Sequence, residues 1–378
     1  MRKWYFTAFA VMSLALMMVT GGPALADDVI KIGYTAPFTG SAAEYGTNGW
    51  RGVQLALDEV NAKGVKVGDK TYKVEIVRYD SVCTPTEGVA NVRKLALEDK
   101  VVAILGDHCS SVCTAISPLC DEYKIPGITI ECAADKVTKP GSPFYFRMRP
   151  SMGLVAPLAV PPIMKIFQPK TAAYIVINDD YGKSFADSFK AELDKQGVKT
   201  VDEETFERGN TDYMVYLNKI KKAKPDIVFY VGATQEGAMI LKQAQEIGLT
   251  KEAKFVGAEE MGEMELLSLA GPEAAEGTYA VALWGQAPEA LAKAVKEKYD
   301  APMHYGIIFG YDALHVMVQA IEQANSLDPI KIRDALDTGT FKGLQGEIKF
   351  EDFDGFQNQG RYTPLIVKWE GGKRVVAK

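Results

Sequence analysis

The sequence predicts an α/β protein built from two doubly wound parallel-sheet lobes. Apolar runs of strand length alternate with segments of helical periodicity, and runs such as VVAIL (101–105) and AAYIVI (172–177) are continuous. Continuous apolar runs are typical of parallel strands covered by helices on both faces. Repeated strand–helix alternation predicts right-handed crossovers within open sheets, and 378 residues fit two such sheets better than one.

The first 26 residues have the order of a secretory signal peptide. Arg2 and Lys3 precede an almost unbroken apolar run, and the small-residue site Ala24-Leu25-Ala26 follows it. A membrane anchor is the alternative, but a run of about 16 residues falls short of the roughly 20 needed to span a bilayer. We therefore expect cleavage after Ala26, a location in the periplasm and an oxidising environment for the cysteines.

The remaining chain supplies the strands and helices of the two lobes. Strand-length apolar runs lie at 30–34, 74–79, 101–105, 172–177, 227–231, 254–257 and 278–283. Apolar residues recur at helical spacing in two sets, Val53, Leu57 and Val60, and Phe185, Phe189 and Leu193. Helix starts are marked at Thr84-Pro85, Ser110-Ser111 and Thr211-Asp212. The break between lobes is expected within PFYFRMRP (143–150), and the pattern from 346 to 378 changes to hairpins.

Composition and motifs argue against several classes of function. The 43 basic and 49 acidic residues give a net charge of −6, which argues against nucleic acid as a partner. The sequence contains none of the motifs GxSxG, HExxH, Walker A or a strand-linked GxGxxG. His108 with Cys109, Cys113 and Cys120 matches no standard zinc spacing. We expect no enzyme activity, no cofactor and no metal, so binding is the favoured class.

The strand ends point to a ligand site. Ligands of open α/β sheets bind beyond the carboxyl ends of the strands. The strand at 101–106 leads to Ser110 and Ser111, whose hydroxyls and free backbone N–H groups would suit a carboxylate. Plain N-capping of a helix explains the same serines equally well.

The sequence after residue 26 resembles the periplasmic leucine/isoleucine/valine-binding proteins of ABC transporters. The resemblance is carried by IKIGYTAPFTGSAAEYGTNGWRGVQLALDEVNAKGV, VEIVRYDSVCTPTEGVANVRKL, VAILGDHCSSVC, YIVINDDYGKSF and KFVGAEEMG. It implies the type I periplasmic-binding fold, in which two lobes joined by three crossovers close on a ligand. The implied N-terminal lobe comprises 27–147 plus 283–348, and the C-terminal lobe comprises 148–282 plus 349–378.

The resemblance also implies roles for individual residues. Ser110 corresponds to the serine that binds the ligand carboxylate in that family. Tyr45 and Tyr181 correspond to tyrosines of the binding loops, and Glu259 to the glutamate that meets the ligand ammonium. A carboxylate beside an ammonium in a dry cleft forms a charge-assisted pair that is stronger than a surface salt bridge.

Several positions depart from the family pattern. Glu131 and Ala133 stand where the family usually has a backbone-carbonyl residue and a hydroxyl residue, and His108 stands where an apolar residue is commoner. An inward Glu131 would favour a ligand with a second donor or cationic group, although it can instead face solvent or pair with a lysine. Tyr305 is expected either to form an aromatic wall of the site or to pack within a helix core.

The five cysteines have different expected states. Cys83 and Cys109 match the family's disulfide. Cys113 and Cys120 lie about 10.5 Å apart along a helix, which is too far for a bridge. Cys113 with Cys132 is an acceptable pair because both lie at the same sheet edge, and core thiols are the alternative.

These inferences predict a monomeric receptor for an amino acid or related small carboxylate. Closed on its ligand, it would dock on the ABC permease subunits at the membrane. One alternative is a sensor that docks on a membrane signalling protein. Another is a binder of aromatic acids, amides or other ligands outside the branched-chain class.

Overall fold

The computed structural model describes residues 29–377, so the expected signal peptide lies outside the described residues. The helices are α1 Ala43–Lys63, α2 Pro85–Leu97, α3 Ser110–Glu122, α4 Met152–Phe167, α5 Asp180–Lys195, α6 Met214–Ala223, α7 Thr234–Glu246, α8 Leu249–Glu252, α9 Met264–Ala270, α10 Pro272–Ala275, α11 Glu289–Tyr299, α12 Tyr305–Ala324 and α13 Pro329–Thr338. None of the helices between residues 29 and 377 combines the length and apolar character that crossing a bilayer requires.

The strands form two large sheets and one small hairpin. They are β1 Val29–Ala36, β2 Val65–Val67, β3 Lys70–Asp80, β4 Ala103–Gly106, β5 Gly127–Thr129, β6 Tyr145–Arg147, β7 Thr171–Ile177, β8 Lys199–Phe206, β9 Ile227–Val231, β10 Lys254–Gly257, β11 Tyr279–Ala282, β12 Phe341–Gly343, β13 Gly346–Ile348, β14 Glu351–Phe353, β15 Phe356–Gln359, β16 Leu365–Glu370 and β17 Lys373–Val376. One sheet has the order β14-β15-β6-β5-β4-β1-β3-β2, and the other has β17-β16-β11-β10-β9-β7-β8.

Both large sheets are parallel in their centres, and antiparallel strands lie at both edges of the first sheet and at one edge of the second. In the first sheet, β1 lies between β3 and β4 in parallel register, and β2 and β14 are antiparallel edge strands. In the second sheet, β7, β8, β9, β10 and β11 are parallel, and β16 and β17 are antiparallel additions. The prediction of two doubly wound parallel-sheet lobes is confirmed.

The chain passes three times between the two sheets. It leaves the first sheet after Arg147, returns after Ala282, and leaves again between Gln359 and Leu365. The assignment of 349–378 to the second lobe is wrong for β14 and β15, because Gln359 pairs with Arg147 of β6 in the first sheet.

Side-chain contacts explain why β14 and β15 stay with the first sheet. Phe350 contacts the ring of Phe146 at a centroid distance of 5.2 Å. The Asn358 side-chain amide donates to the carbonyl oxygens of Ser142 and Tyr145, at 3.1 and 3.3 Å. These contacts hold the two strands against β6, so the third crossover comes after them rather than at residue 349.

Two other elements differ from the sequence prediction. Strand β8 carries the sequence KTVDEETF and lies at a sheet edge with much of its length exposed, so it lacks the apolar pattern by which the other strands were predicted. Helix α6 begins at Met214 rather than at Thr211-Asp212, because the Asp212 carboxylate accepts the N–H of Met214 at 3.0 Å.

Two disulfides fix the loops that follow strands of the first sheet. Cys83 is bonded to Cys109, with 5.6 Å between their Cα atoms, and Cys113 is bonded to Cys132, with 6.5 Å. The second bond resolves the choice between a bridge and core thiols at those positions. Cys120 is a buried free thiol.

Helices α1 and α12 pack closely because glycines line their contact. A Cβ atom at Gly52 would lie 2.1 Å from the carbonyl oxygen of Ile307, and one at Gly310 would lie 2.2 Å from the carbonyl oxygen of Gly49. This close approach brings Tyr305, the first residue of α12, to the edge of the first sheet where β1 and β4 end.

We predict that Gly52→Ala lowers the free energy of unfolding by about 1–3 kcal/mol, because the new methyl group meets backbone rather than a movable side chain. Urea denaturation measures this change. Gly285→Ala is the control, since its Cβ would meet only Leu365 Cδ1 at 3.5 Å. Equal stability of the two variants would contradict the packing argument.

Candidate functional site

A cavity lies between the two sheets, where the carboxyl ends of their parallel strands meet. The space between atoms there amounts to about 350 Å³, part of which is open to solvent. Its lining residues are Tyr45, His108, Cys109, Ser110, Glu131, Arg149, Asp179, Tyr181, Arg208, Glu259, Glu260 and Tyr305. Seven of the eight residues proposed from the sequence are in this set, and Ala133 is not.

Ser110 presents a hydroxyl donor at the start of α3. Its Oγ accepts the backbone N–H groups of Ala133 and Ala134, at 3.1 and 3.2 Å. Cys109 rather than Ser110 is the N-cap of α3, so the capping alternative is wrong. Because Oγ already accepts two hydrogen bonds, its own hydrogen is directed to another acceptor, which suits a ligand oxygen. Ala133 lies behind this hydroxyl, and its methyl group is buried in the lobe core.

Glu131 points into the protein rather than to solvent. It is 6% exposed, and its Oε2 lies 3.2 Å from His108 Nδ1. Within the part of the chain that the structure describes, its Oε1 has no hydrogen-bond partner. Burial raises the pKa of Glu131, and the nearby His108 opposes that rise. The alternatives in which Glu131 faces water or pairs with a lysine are therefore wrong.

Arg149 lies just after the first crossover and neutralises Glu259. Its Nη2 donates to Glu259 Oε1 in an ion pair in which both side chains are almost fully buried. Its Nη1 donates to the Pro150 carbonyl oxygen at 3.1 Å. The sequence prediction missed Arg149, although the two arginines, Arg147 and Arg149, in the otherwise apolar segment 143–150 were a signal for a buried charge. Glu259 therefore lines the cavity with one oxygen already paired.

Glu260 is surrounded by tyrosine hydroxyls and lacks an ion pair within 4 Å in the described range 29–377. The hydroxyl of Tyr181 donates to Glu260 Oε2 at 2.9 Å, and that of Tyr305 donates to Oε1 at 3.2 Å. Burial, followed by the negative charge of Glu259, raises the pKa of Glu260 to about 8. The sequence indicated only Glu259, because it does not reveal that Glu259–Gly262 forms a short 3-10 turn in which both glutamates are buried.

Arg208 brings a second positive charge to the cavity. Its Nη2 donates to Asp179 Oδ2 at 2.6 Å, and Asp179 also caps α5 by accepting the N–H of Gly182 at 3.0 Å. Its buried Nη1 has no hydrogen-bond partner among residues 29–377, and neither does the buried hydroxyl of Tyr45. Arg208 follows β8, the strand that the sequence pattern did not reveal, so nothing in the sequence placed it at the site.

Contacts on both sides of the cavity hold the lobes together. Glu44 Oε1 accepts the backbone N–H and the hydroxyl of Thr234, at 3.1 and 2.7 Å. On the other side, Ser184 Oγ accepts the N–H of Asp135 at 3.1 Å, and Ser111 Oγ accepts the N–H of Asp180 at 3.4 Å. The structure is therefore the closed arrangement of the two lobes.

The charges of the cavity fall into paired and unpaired groups. Arg149 with Glu259 and Arg208 with Asp179 are internally neutral pairs. Two further carboxyl groups, Glu131 and Glu260, face the cavity without an arginine or lysine partner within residues 29–377, and the Oε2 of Glu131 lies 3.2 Å from His108 Nδ1. Across residues 29–377, no group of His, Cys, Asp and Glu side chains has the arrangement of a metal site.

The sequence and the fold match known proteins. The family model described as "Periplasmic binding protein" matches residues 29–373. The "Leucine-, isoleucine-, valine-, threonine-, and alanine-binding protein" of Pseudomonas aeruginosa is 31% identical over 341 residues, which cover 88% of this chain and 89% of that protein.

Two solved structures share the fold over nearly the whole chain. The branched-chain amino acid transporter substrate binding protein of Streptococcus pneumoniae, in complex with isoleucine, has a TM-score of 0.80 and 25% identity, covering 93% of this chain and 100% of that one. A solute binding protein of an ABC transporter from R. palustris, in complex with benzoate, has a TM-score of 0.81 and 20% identity, covering 92% and 95%.

We predict that raising the pH from 5 to 8.5 opens the lobes of the ligand-free protein. In the closed form Glu260 keeps its proton up to a pKa of about 8, whereas a water-exposed carboxyl loses it near its ordinary pKa of about 4.3. The closed form therefore binds more protons between these values, and rising pH favours the open form. Small-angle X-ray scattering should show an increase in radius of gyration.

Glu260→Gln should reduce this increase, leaving the share that comes from Glu44, whose pKa burial raises to about 7, and from Glu131, whose pKa burial also raises. Asp312→Asn is the matched control, because burial also raises the pKa of Asp312 to about 7 but its partner is Leu344, within the first lobe. An unchanged pH profile in Glu260→Gln would contradict this account.

Proposed function

The chain belongs to the periplasmic binding protein family, and we propose that it is the substrate-binding protein of an ABC importer that closes on an amino acid or a related small carboxylate. The observation that carries this proposal is the cavity, which offers both hydrogen-bond donors for a carboxylate and an unpaired carboxylate for an ammonium group.

Three groups in the cavity suit the ligand carboxylate. The Ser110 hydroxyl has its hydrogen available, and the Tyr45 hydroxyl and Arg208 Nη1 are buried without partners within residues 29–377. Hydrogen bonds from charged or hydroxyl donors to a carboxylate are strong in a site from which water is excluded. Leaving such donors buried and unpaired costs free energy, which a ligand carboxylate would recover.

Glu260 suits the ligand ammonium. The family resemblance assigns this role to Glu259, but Arg149 already pairs with Glu259. Glu260 accepts only neutral tyrosine hydroxyls, and tyrosine rings beside a carboxylate are a favourable environment for a cation. We therefore assign the main contact with the ammonium to Glu260.

The charge of the cavity favours an amino acid over an aromatic acid. The related proteins of P. aeruginosa and S. pneumoniae are named for amino acids, and the R. palustris protein was solved with benzoate. Benzoate would add a negative charge to a cavity lined by four carboxylates and two arginines and would bring no cation to Glu260. An amino acid supplies the missing cation together with its carboxylate.

Lobe closure completes the site around the ligand. Tyr305 of the first lobe and Tyr181 of the second bond the same glutamate, so the ligand's partners come from both sides. Closure excludes water and strengthens each polar contact. We propose that the protein works in the periplasm as a monomer, presents the closed lobes to the permease subunits, and releases its ligand chemically unchanged.

We predict that Glu260→Gln weakens amino-acid binding at least tenfold, because the amide no longer offers the ammonium a negative charge. The probe is the amino acid that gives the largest shift in a thermal-shift screen of the twenty standard amino acids and benzoate, and calorimetry measures its affinity. Glu259→Gln is the comparison and should weaken binding less, since Arg149 neutralises Glu259.

Asp312→Asn serves as a control outside the cavity and should bind the probe like the unmodified protein. If Glu259→Gln keeps the thermal stability of the unmodified protein and still loses more affinity than Glu260→Gln, the ammonium contact is assigned to Glu259 instead. A screen in which benzoate binds and no amino acid does would overturn the amino-acid assignment.

A further inference from the structure

Glu131 remains without a function after the carboxylate and ammonium contacts of an ordinary amino acid are assigned. It lines the cavity, it is 6% exposed, and its Oε1 lacks a hydrogen-bond partner among the residues from 29 to 377, while Oε2 lies 3.2 Å from His108 Nδ1. Burying a carboxylate without a partner costs free energy, and a ligand cation that pairs with it would offset that cost. The residues around Glu131 indicate which kind of ligand group would pair with its carboxylate.

His108 contacts only one of the two oxygens of Glu131. The fully buried hydroxyl of Tyr34 lies 2.7 Å from His108 Nε2. On the other side of the ring, His108 Nδ1 lies 3.2 Å from Glu131 Oε2. His108 is therefore held between Tyr34 and Oε2, and Oε1 of Glu131 is left without a hydrogen-bond partner among residues 29–377.

The first turn of α12 favours the charged form of Glu131, against the burial that raises its pKa. Gly306 has no side chain, and a Cβ atom there would lie 2.1 Å from Glu131 Oε1. The carboxylate therefore lies against the N-terminal end of a 20-residue helix, where the helix dipole favours a negative charge. The N–H of Gly306 already donates to His304 Nδ1 at 3.0 Å.

We propose that Glu131 is a second cation subsite and that the ligand is a short diamino acid. This inference rests on the proposed function, and it names the ligand class of the same cavity. The α-carboxylate binds at Ser110, Tyr45 and Arg208, the α-ammonium binds at Glu260, and the side-chain ammonium binds at Glu131.

The charge balance of the cavity supports a ligand with two ammonium groups. The Arg149–Glu259 and Arg208–Asp179 pairs are neutral, so Glu131 and Glu260 are the two carboxyl groups of the cavity without an arginine or lysine partner within residues 29–377. A ligand with one ammonium group pairs with only one of these two carboxylates. A diamino acid pairs with both, and its carboxylate retains the donors already described.

The test compares ligands that have the same number of non-hydrogen atoms and differ only at the end of the side chain. The pairs are 2,4-diaminobutyrate with norvaline, and ornithine with norleucine, each measured by calorimetry on the purified protein. In at least one pair, the diamino acid should bind at least tenfold more tightly than its methyl counterpart. Putrescine, which lacks the carboxylate, should bind more weakly than the preferred diamino acid.

Glu131→Gln tests the residue itself. It should reduce the preference for the diamino acid to less than threefold, whereas Glu263→Gln should keep it. Glu263 is also buried, but it accepts the Trp284 indole N–H at 2.9 Å and does not line the cavity. Because the ligand pairs are compared first on the unmodified protein, the result does not depend on the folding of either variant.

The possible outcomes separate this inference from the proposed function. If norvaline, norleucine or leucine binds as tightly as the diamino acids, the inference is wrong and the amino-acid function stands. The inference is also wrong if glutamine binds more tightly than ornithine, or if Glu131→Gln keeps the preference. If no amino acid in the panel binds, the proposed function fails, and the inference fails with it.

Discussion

The buried ion pair between Arg149 and Glu259 is the interaction on which the cavity depends. Arg149 stands where the chain first crosses between the lobes, and Glu259 stands at the end of a strand of the second sheet. Removing one partner would leave the other charge buried and unpaired, which typically costs about 3–5 kcal/mol. The pair also determines the role of its neighbour, because Glu259 is already neutralised and Glu260 is left to meet a cation.

Much of the fold was predictable because buried parallel strands leave a clear apolar signal. The site was predictable to the extent that its residues follow such strands, as Ser110, Glu131 and Tyr181 do. Strand β8 lies at an edge and is largely polar, so neither it nor Arg208 beyond it gave a signal. The third crossover was misplaced because β14 and β15 join the first sheet through tertiary contacts, which local sequence patterns do not contain.

The polarity of the cavity distinguishes this chain from a site built for an apolar side chain. Glu131 could be identified from the sequence as a departure from the family pattern, but its direction could not, because that depends on α12. The absence of a side chain at Gly306 lets the carboxylate lie against the start of that helix. The glycines between α1 and α12 set the position of the same turn, so helix packing and ligand recognition are coupled.

The two disulfides affect how much of the ligand-binding free energy is used to order the first lobe and how much is used to close the second lobe. They link the segments after β3, β4 and β5 covalently, and these segments carry Ser110 and Glu131. The first lobe's half of the site is thus rigid before the ligand arrives, so the ligand does not lose binding free energy in ordering it. The entropy lost on binding then comes mainly from the second lobe, which becomes fixed against the first when the lobes close. Affinity can therefore be adjusted by changes at the crossovers without any change in which ligand is preferred.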